Sequence, residues 1–314
     1  MPRRFLLLLV PLLLIVSAPA VAQEDDDDLE SRLIQVGRQY ATAYIAPLAH
    51  GWGAAQNSGM FHTAAIPRSR LTFTIGLKVM GTHLAEDDQT FRRVIRNVDL
   101  ADYGLDAPAG ARGDVIFEGP TVIGDSDVTG TATGIDEYGA VYTINTISGV
   151  IDTRWVPMVA PELQVGGIAG FRLALRWLPE IDLGDLGKTK YFGYGLQWSP
   201  GPMLPGLPVD VMIGFFKQEI DLGTVVETDA SSIFVAASRR FGLATVYGGL
   251  AKESSTMKVS YTEEITDQTV DFEVDGDMGA RLTLGATLSL GAKLNFEVGL
   301  GKLTVLSAGL LFGI

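Results

Sequence analysis

The chain has 314 residues, with 37 Asp and Glu against 24 Lys and Arg, and it contains no cysteine. The acidic balance excludes nucleic-acid binding, which needs clustered Lys and Arg, and the missing cysteine excludes disulfides and a lipid anchor at a cleavage site. Mean hydropathy is +0.24, yet beyond the N-terminus no apolar run reaches the roughly 20 residues of a transmembrane helix.

Arg3 and Arg4 precede an apolar run over residues 5–16, followed by Ala20-Val21-Ala22. A charged start, a short apolar core and small-x-small spacing predict a signal peptide over residues 1–22, cleaved after Ala22. The 292 residues that follow carry 37 acidic side chains against 22 basic ones, since two of the arginines leave with the signal. Residues 23–28, Gln-Glu-Asp-Asp-Asp-Asp, read as a solvated acidic tail, because a calcium site would need a fixed loop. Leu29, Leu33, Val36, Tyr40 and Tyr44 recur at helical spacing through 29–46, and Pro47 is expected to stop that helix. Residues 23–65 therefore read as an acidic tail, an amphipathic helix and a segment at or inside the periplasmic mouth of a barrel that occupies 66–314.

From Leu71 the period changes to two. Leu71, Phe73, Ile75, Leu77 and Val79 share one face, and Thr72, Thr74, Gly76, Lys78 and Met80 the other. In 163–178, Val165, Ala169, Phe171, Leu173, Leu175 and Trp177 point outward, against Gln164, Gly170, Arg172, Ala174 and Arg176. An arginine facing lipid costs about 2–4 kcal/mol near the midplane, so both arginines are read as lumen-facing. The final strand alternates too, with Leu306, Ala308, Leu310, Phe312 and Ile314 on its apolar side. Further strands are expected at 91–97, 113–118, 139–147, 189–198, 207–219, 231–239, 243–251, 280–290, 293–300 and 303–314.

These elements predict an all-β fold, an antiparallel transmembrane β-barrel of about 12 strands, with ten or fourteen as alternatives. The last strand should end in the periplasm. Gly291-Ala292, Arg240-Phe241-Gly242 and the stretch from Pro200 to Pro208 then become periplasmic turns, and 179–188, 221–230 and 251–279 external loops. Gly301-Lys302 is a tight turn on the external side. The expected location is the bacterial outer membrane, in contact with its lipid.

The three histidines, His50, His62 and His83, lack the close pairing of a zinc site, and no nucleophile elbow, phosphate loop or HExxH is present. No cofactor, no metal and no catalytic residue is expected. A hydrolase built on His83 with Glu86, Asp87 and Asp88 is the weaker alternative. The acidic residues of 251–279 read as a solvated external hairpin. The candidate lumen or ligand residues are Arg172, Arg176, Asp210, Lys293, Asn295 and Glu297. Lumen charge can set selectivity in a pore, or can pair internally to satisfy a closed one. Small inward residues, such as Gly166, Gly170, Gly193, Gly195, Gly285 and Gly299, would leave internal space.

The segment from Gly51 to Ala64 (Gly-Trp-Gly-Ala-Ala-Gln-Asn-Ser-Gly-Met-Phe-His-Thr-Ala), followed by Pro67, resembles the opening of an uncharacterised family of outer-membrane barrels. Gly119-Pro-Thr-Val-Ile-Gly124, Pro157-Met158, Arg176-Trp-Leu-Pro179 and Gly193-Tyr-Gly-Leu-Gln197 extend the likeness over most of the chain. The family occurs in Bacteroidota-like bacteria and carries only a domain-of-unknown-function label. It is similar at fold level to long-chain fatty-acid transporter barrels in placing a segment before the wall. The resemblance implies a barrel and brings no catalytic residues. Two readings follow: passive or gated transport or binding of a small hydrophobic or amphipathic molecule, and a scaffold or adhesion barrel with a closed lumen. In the first, Arg172 and Arg176, about 13 Å apart on one strand, would hold a carboxylate head group.

Overall fold

Ten strands close into a barrel because the two ends of the wall pair with each other. The computed structural model describes residues 38–182, 188–201, 206–263, 268–276 and 278–313. The expected signal peptide, the acidic stretch at 23–28 and Leu29, Leu33 and Val36 lie outside these residues. Helix α1 (Arg38–Gln56) precedes β1 (Ser69–His83). An insertion follows, comprising β2 (Thr90–Asp99), β3 (Arg112–Pro120), β4 (Thr129–Asp136) and β5 (Val141–Ser148). The wall resumes with β6 (Trp155–Ile168), β7 (Phe171–Asp182), β8 (Lys188–Trp198), β9 (Asp210–Leu222), β10 (Val226–Phe241) and β11 (Ala244–Glu263). It ends with β13 (Ala280–Leu290), β14 (Ala292–Leu300) and β15 (Thr304–Gly313), while β12 (Gln268–Asp275) extends the upper part of β11 as a hairpin.

All wall neighbours are antiparallel. β6 pairs with β1 across the insertion, and β15 seals the barrel against β1 from Thr74↔Gly313 to His83↔Thr304. Alternation holds around the ring. Leu290 is 64 % exposed and Ile233 72 %, whereas inward neighbours such as Thr287 and Ser232 are buried. The outer face is thus apolar and the inner face polar or small, the pattern of a barrel wall.

Three expected wall strands, at 91–97, 113–118 and 139–147, lie elsewhere. They form part of a separate four-stranded sheet in the order β2-β3-β4-β5. One face of that sheet packs on α1, so it alternates just as a wall strand does. Arg92, Arg93 and Arg96 are all exposed on β2, which no lipid-facing strand would carry. The expected strand 163–178 is in fact a hairpin. Ala169 (φ 52°) and Gly170 (φ 79°) are both left-handed, the backbone that a two-residue hairpin turn with the twist of the flanking strands requires. These two changes bring the wall to ten strands.

The two ends of the barrel differ. One carries Ala169-Gly170, Gly242-Leu243, Gly291 and the 199–209 connection, together with the start of β1 and the end of β15. The other, the long-loop end, carries 84–154, the end of β7 and the start of β8, 223–225, the β11–β12 hairpin and 301–303. At the short-turn end, the turns after β10 and β13 fall where the sequence placed them, whereas the expected loop 221–230 is a three-residue turn, 223–225, and much of the expected loop 251–279 is strand in β11 and β12.

Helix α1 runs through Pro47, which was expected to end it. A proline inside a helix removes one hydrogen bond and crowds the preceding turn; packing on several sides outweighs that here. The Val122 amide donates to the Tyr44 carbonyl (3.0 Å), so the turn before Pro47 is also held from outside. From Gly51 to Gln56 every residue is buried. A Cβ at Gly53 would come 2.0 Å from Ser255 Oγ, and one at Gly51 2.6 Å from Val156 Cγ2. Small residues therefore let the last turns of α1 enter the barrel. The helix sits at the long-loop end, and not, as expected from sequence, at the mouth that holds the C-terminus.

Candidate functional site: the plugged lumen

Residues 57–66 leave α1 and descend the barrel axis, and inward wall side chains bind their backbone. Arg176, fully buried, donates from its guanidinium to the carbonyls of Ser58 (3.0 Å) and Gly59 (2.6 Å). It also forms an ion pair with Glu162 (2.9 Å), whose other oxygen accepts from Gln164 (2.7 Å). Arg172 donates to Gln197 Oε1 (2.7 Å) and to the Thr63 carbonyl (2.8 Å). Gln197 in turn donates to the Met60 carbonyl (2.8 Å), and Gln218 to the Gln56 carbonyl (2.5 Å). The plug's unpaired backbone groups are met by wall side chains in place of a ladder, as buried backbone must be.

The opposite wall does the same. The Gly59 amide donates to Glu297 Oε1 (2.9 Å), and Tyr247 donates to Glu297 Oε2 (3.2 Å). Asn295 accepts from Lys78 (2.9 Å) and donates to Tyr247 (2.6 Å) and Thr287 (3.1 Å). Thr287 donates to the His62 carbonyl (2.8 Å). Gly59 is left-handed (φ +64°), and this bend lets its amide and carbonyl reach opposite walls. Arg281 pairs with Glu253 (2.9 Å) and also bonds Ser58 Oγ.

Within this polar belt the plug also buries an aromatic side chain. Phe61 stacks on Phe234 (ring centroids 5.1 Å) and meets Tyr247 edge-on (5.4 Å). A Cβ at Gly249 would lie 2.8 Å from Phe61 Cζ. The inward glycines thus make room for neighbouring side chains. Gly195 faces Phe216, Gly285 faces Tyr247 and Gly299 faces Arg281, and a Cβ at any of the three would stand 3.0 Å or less from that neighbour.

Of the sequence candidates, Arg172, Arg176 and Glu297 bind the plug directly, and Asn295 does so through Tyr247 and Thr287. Lys293 is half-buried nearer the short-turn end, and Asp210 is exposed at that rim. Lys78, Glu162, Gln164, Gln197, Gln218, Tyr247, Glu253 and Arg281 were missed. Their signal was available: each is a polar residue on the inward parity of a wall strand. His83 packs its ring on Trp155 (4.9 Å), and His62 is buried.

At the long-loop end a cap is built from α1, the inserted sheet and the β11–β12 hairpin. Tyr40 meets Phe91 and Phe117 edge-on (5.0 and 5.4 Å) and hydrogen-bonds Thr146 (3.0 Å). Burial pushes its phenol up from the ordinary value, so the hydroxyl stays a donor.

The chain belongs to DUF6588. This is a family of unknown function, and it matches over residues 1–314. No curated protein matches the chain in sequence. Among solved structures, the loop L8 deletion mutant of OmpT from Vibrio cholerae is similar over 78 % of this chain and 99 % of its own, at 12 % identity and a TM-score of 0.25. The translocator domain of the autotransporter NalP from Neisseria meningitidis is similar over 89 % and 98 %, at 12 % identity and 0.25. An anion-selective porin from Comamonas acidovorans is similar over 78 % and 99 %, at 14 % identity and 0.20. The fold of this DUF6588 chain rests on its own strand pairing.

Proposed function

We propose that the protein is an outer-membrane barrel held shut by its own N-terminal segment, working at the cell surface through its cap as a scaffold or adhesion barrel. An apolar outer wall, an even strand number and short turns at the end that holds the C-terminus support the membrane assignment. No described helix is long and apolar enough to cross a membrane. One observation carries the closed state: Arg176, Arg172 and Glu297 are all engaged with plug backbone. Buried charges are stable only when fully partnered, and here the plug supplies part of that partnership. Arg172 and Arg176 are therefore not free to take a carboxylate ligand while the plug is seated. Transport of an amphipathic molecule would require the plug to leave.

Planar bilayers test this. The intact barrel should show no steady conductance, and a variant lacking residues 38–66 should conduct. Its pore should prefer anions, because Lys78, Arg172, Arg176, Arg281 and Lys293 line it against Glu162, Glu253 and Glu297. Steady conductance by the intact protein, or binding of a fatty-acid-like anion that Arg172→Ala with Arg176→Ala abolishes, would replace this reading with transport.

A further inference from the structure

The plug has a direction, and the direction fixes a topology. Tyr40 hydrogen-bonds Thr146 in the cap, and the Gly51 carbonyl accepts from Thr82 near the long-loop end of β1 (2.7 Å). Gly59 meets Arg176 and Thr63 meets Arg172, one step after the other down β7. Arg68 then donates to the Pro200 carbonyl (3.1 Å) in the β8–β9 connection at the short-turn end. The chain therefore enters the lumen at the long-loop end and leaves at the short-turn end, where β1 begins. The last turns of α1 rise roughly 1.5 Å per residue, and residues 57–68 below them can add up to roughly 3.3 Å each. Together they are long enough to pass the whole height of a membrane-spanning wall, about 25 Å.

The ten wall strands cross an even number of times and leave both ends of the wall on one side. The plug adds one more crossing. Resting on the outer-membrane reading above, we infer that the segment from α1 to β1 crosses the membrane inside the lumen: Arg38, at the start of α1, lies outside the cell, while the start of β1 and the end of β15 lie on the periplasmic side. The barrel thereby presents the start of α1 at the outer surface.

The absence of native cysteine makes the test clean. Single cysteines are placed at Arg38, at Tyr138 in the β4–β5 turn and at Leu207 in the β8–β9 connection, all exposed. Intact cells are treated with a polymer-linked maleimide too large for pores, and heat-modifiable mobility selects folded protein. Arg38→Cys should label on intact cells as fully as Tyr138→Cys, while Leu207→Cys labels only after the outer membrane is permeabilised. Gln39→Cys serves if Arg38→Cys does not fold. Protection of the residue 38 or 39 cysteine with Tyr138→Cys labelled overturns the inferred topology alone. Labelling of Leu207→Cys with Tyr138→Cys protected overturns the membrane orientation, and this inference with it.

Discussion

Arg176 grips Gly59 as Arg172 grips Thr63, so a four-residue interval on the wall meets a four-residue interval on the plug. The plug and β7 therefore run side by side in opposite directions. Side chains from β7 and its neighbours hold the plug backbone in place of a ladder.

The pair Arg176–Glu162 should dominate the stability of this arrangement. Both side chains are fully buried, and removing one partner of a buried pair costs about 3–5 kcal/mol. Arg176→Ala and Glu162→Ala should each lower the urea midpoint in a heat-modifiability assay by a corresponding amount. A change below about 1 kcal/mol, the size of an exposed pair, would show that solvent reaches the lumen.

Gly59 is a backbone prediction. Its φ of +64° disfavours a side chain by roughly 1–2 kcal/mol. Gly59→Ala should loosen the plug while leaving the wall strands paired, giving intermittent conductance in bilayers with normal heat modifiability. A silent bilayer trace indistinguishable from the parent would argue that the bend is not strained.

Tyr40 tests the cap. Tyr40→Phe removes hydrogen bonds to Thr146 and Ile147, a net loss of about 0.5–1.5 kcal/mol per bond. Tyr40→Ala also empties the space among Phe91 and Phe117, a change of about 3–5 kcal/mol for a large aromatic. Proteolysis of the inserted sheet should accelerate slightly in the first variant and strongly in the second. Equal cleavage rates would mean that α1 does not hold the sheet.

The insertion should be dispensable for closure. His83 and Trp155 are register partners on β1 and β6, and the Leu84 amide donates to the Arg154 carbonyl (2.9 Å). Replacing residues 85–153 with an Asn-Gly turn, which suits a hairpin, should give a barrel that still shifts on heating. Aggregation in detergent without any folded band would place the sheet among the requirements of the wall.

Much of the wall was legible because lipid on one side enforces period two without exception. Leu306 to Phe312 and Phe171 to Trp177 kept their assigned faces. The inserted sheet was misread because a soluble sheet with one covered face has the same period, and only the arginines of β2 tell them apart. The hairpin at Ala169-Gly170 was hidden because a two-residue turn does not break the alternation of the strands it joins. Pro47 misled for a different reason: local propensity says where an isolated helix ends, whereas α1 is held by its surroundings. For the site, the inward direction of Arg172 and Arg176 could be read. Their partners at Thr63 and Gly59 lie more than a hundred residues away and follow no local pattern.

The plug joins the wall through Pro67 and Arg68 alone, from the buried Ile66 to the start of β1 at Ser69. Whatever releases it therefore leaves it within reach of its seat. Return is a one-molecule step, governed by an effective concentration on the order of millimolar or above for so short a tether. A free competitor carrying the sequence of residues 58–66 would have to match that local concentration to keep the lumen open. Severing the chain at Pro67 would convert the same closure into an ordinary, dilutable binding equilibrium.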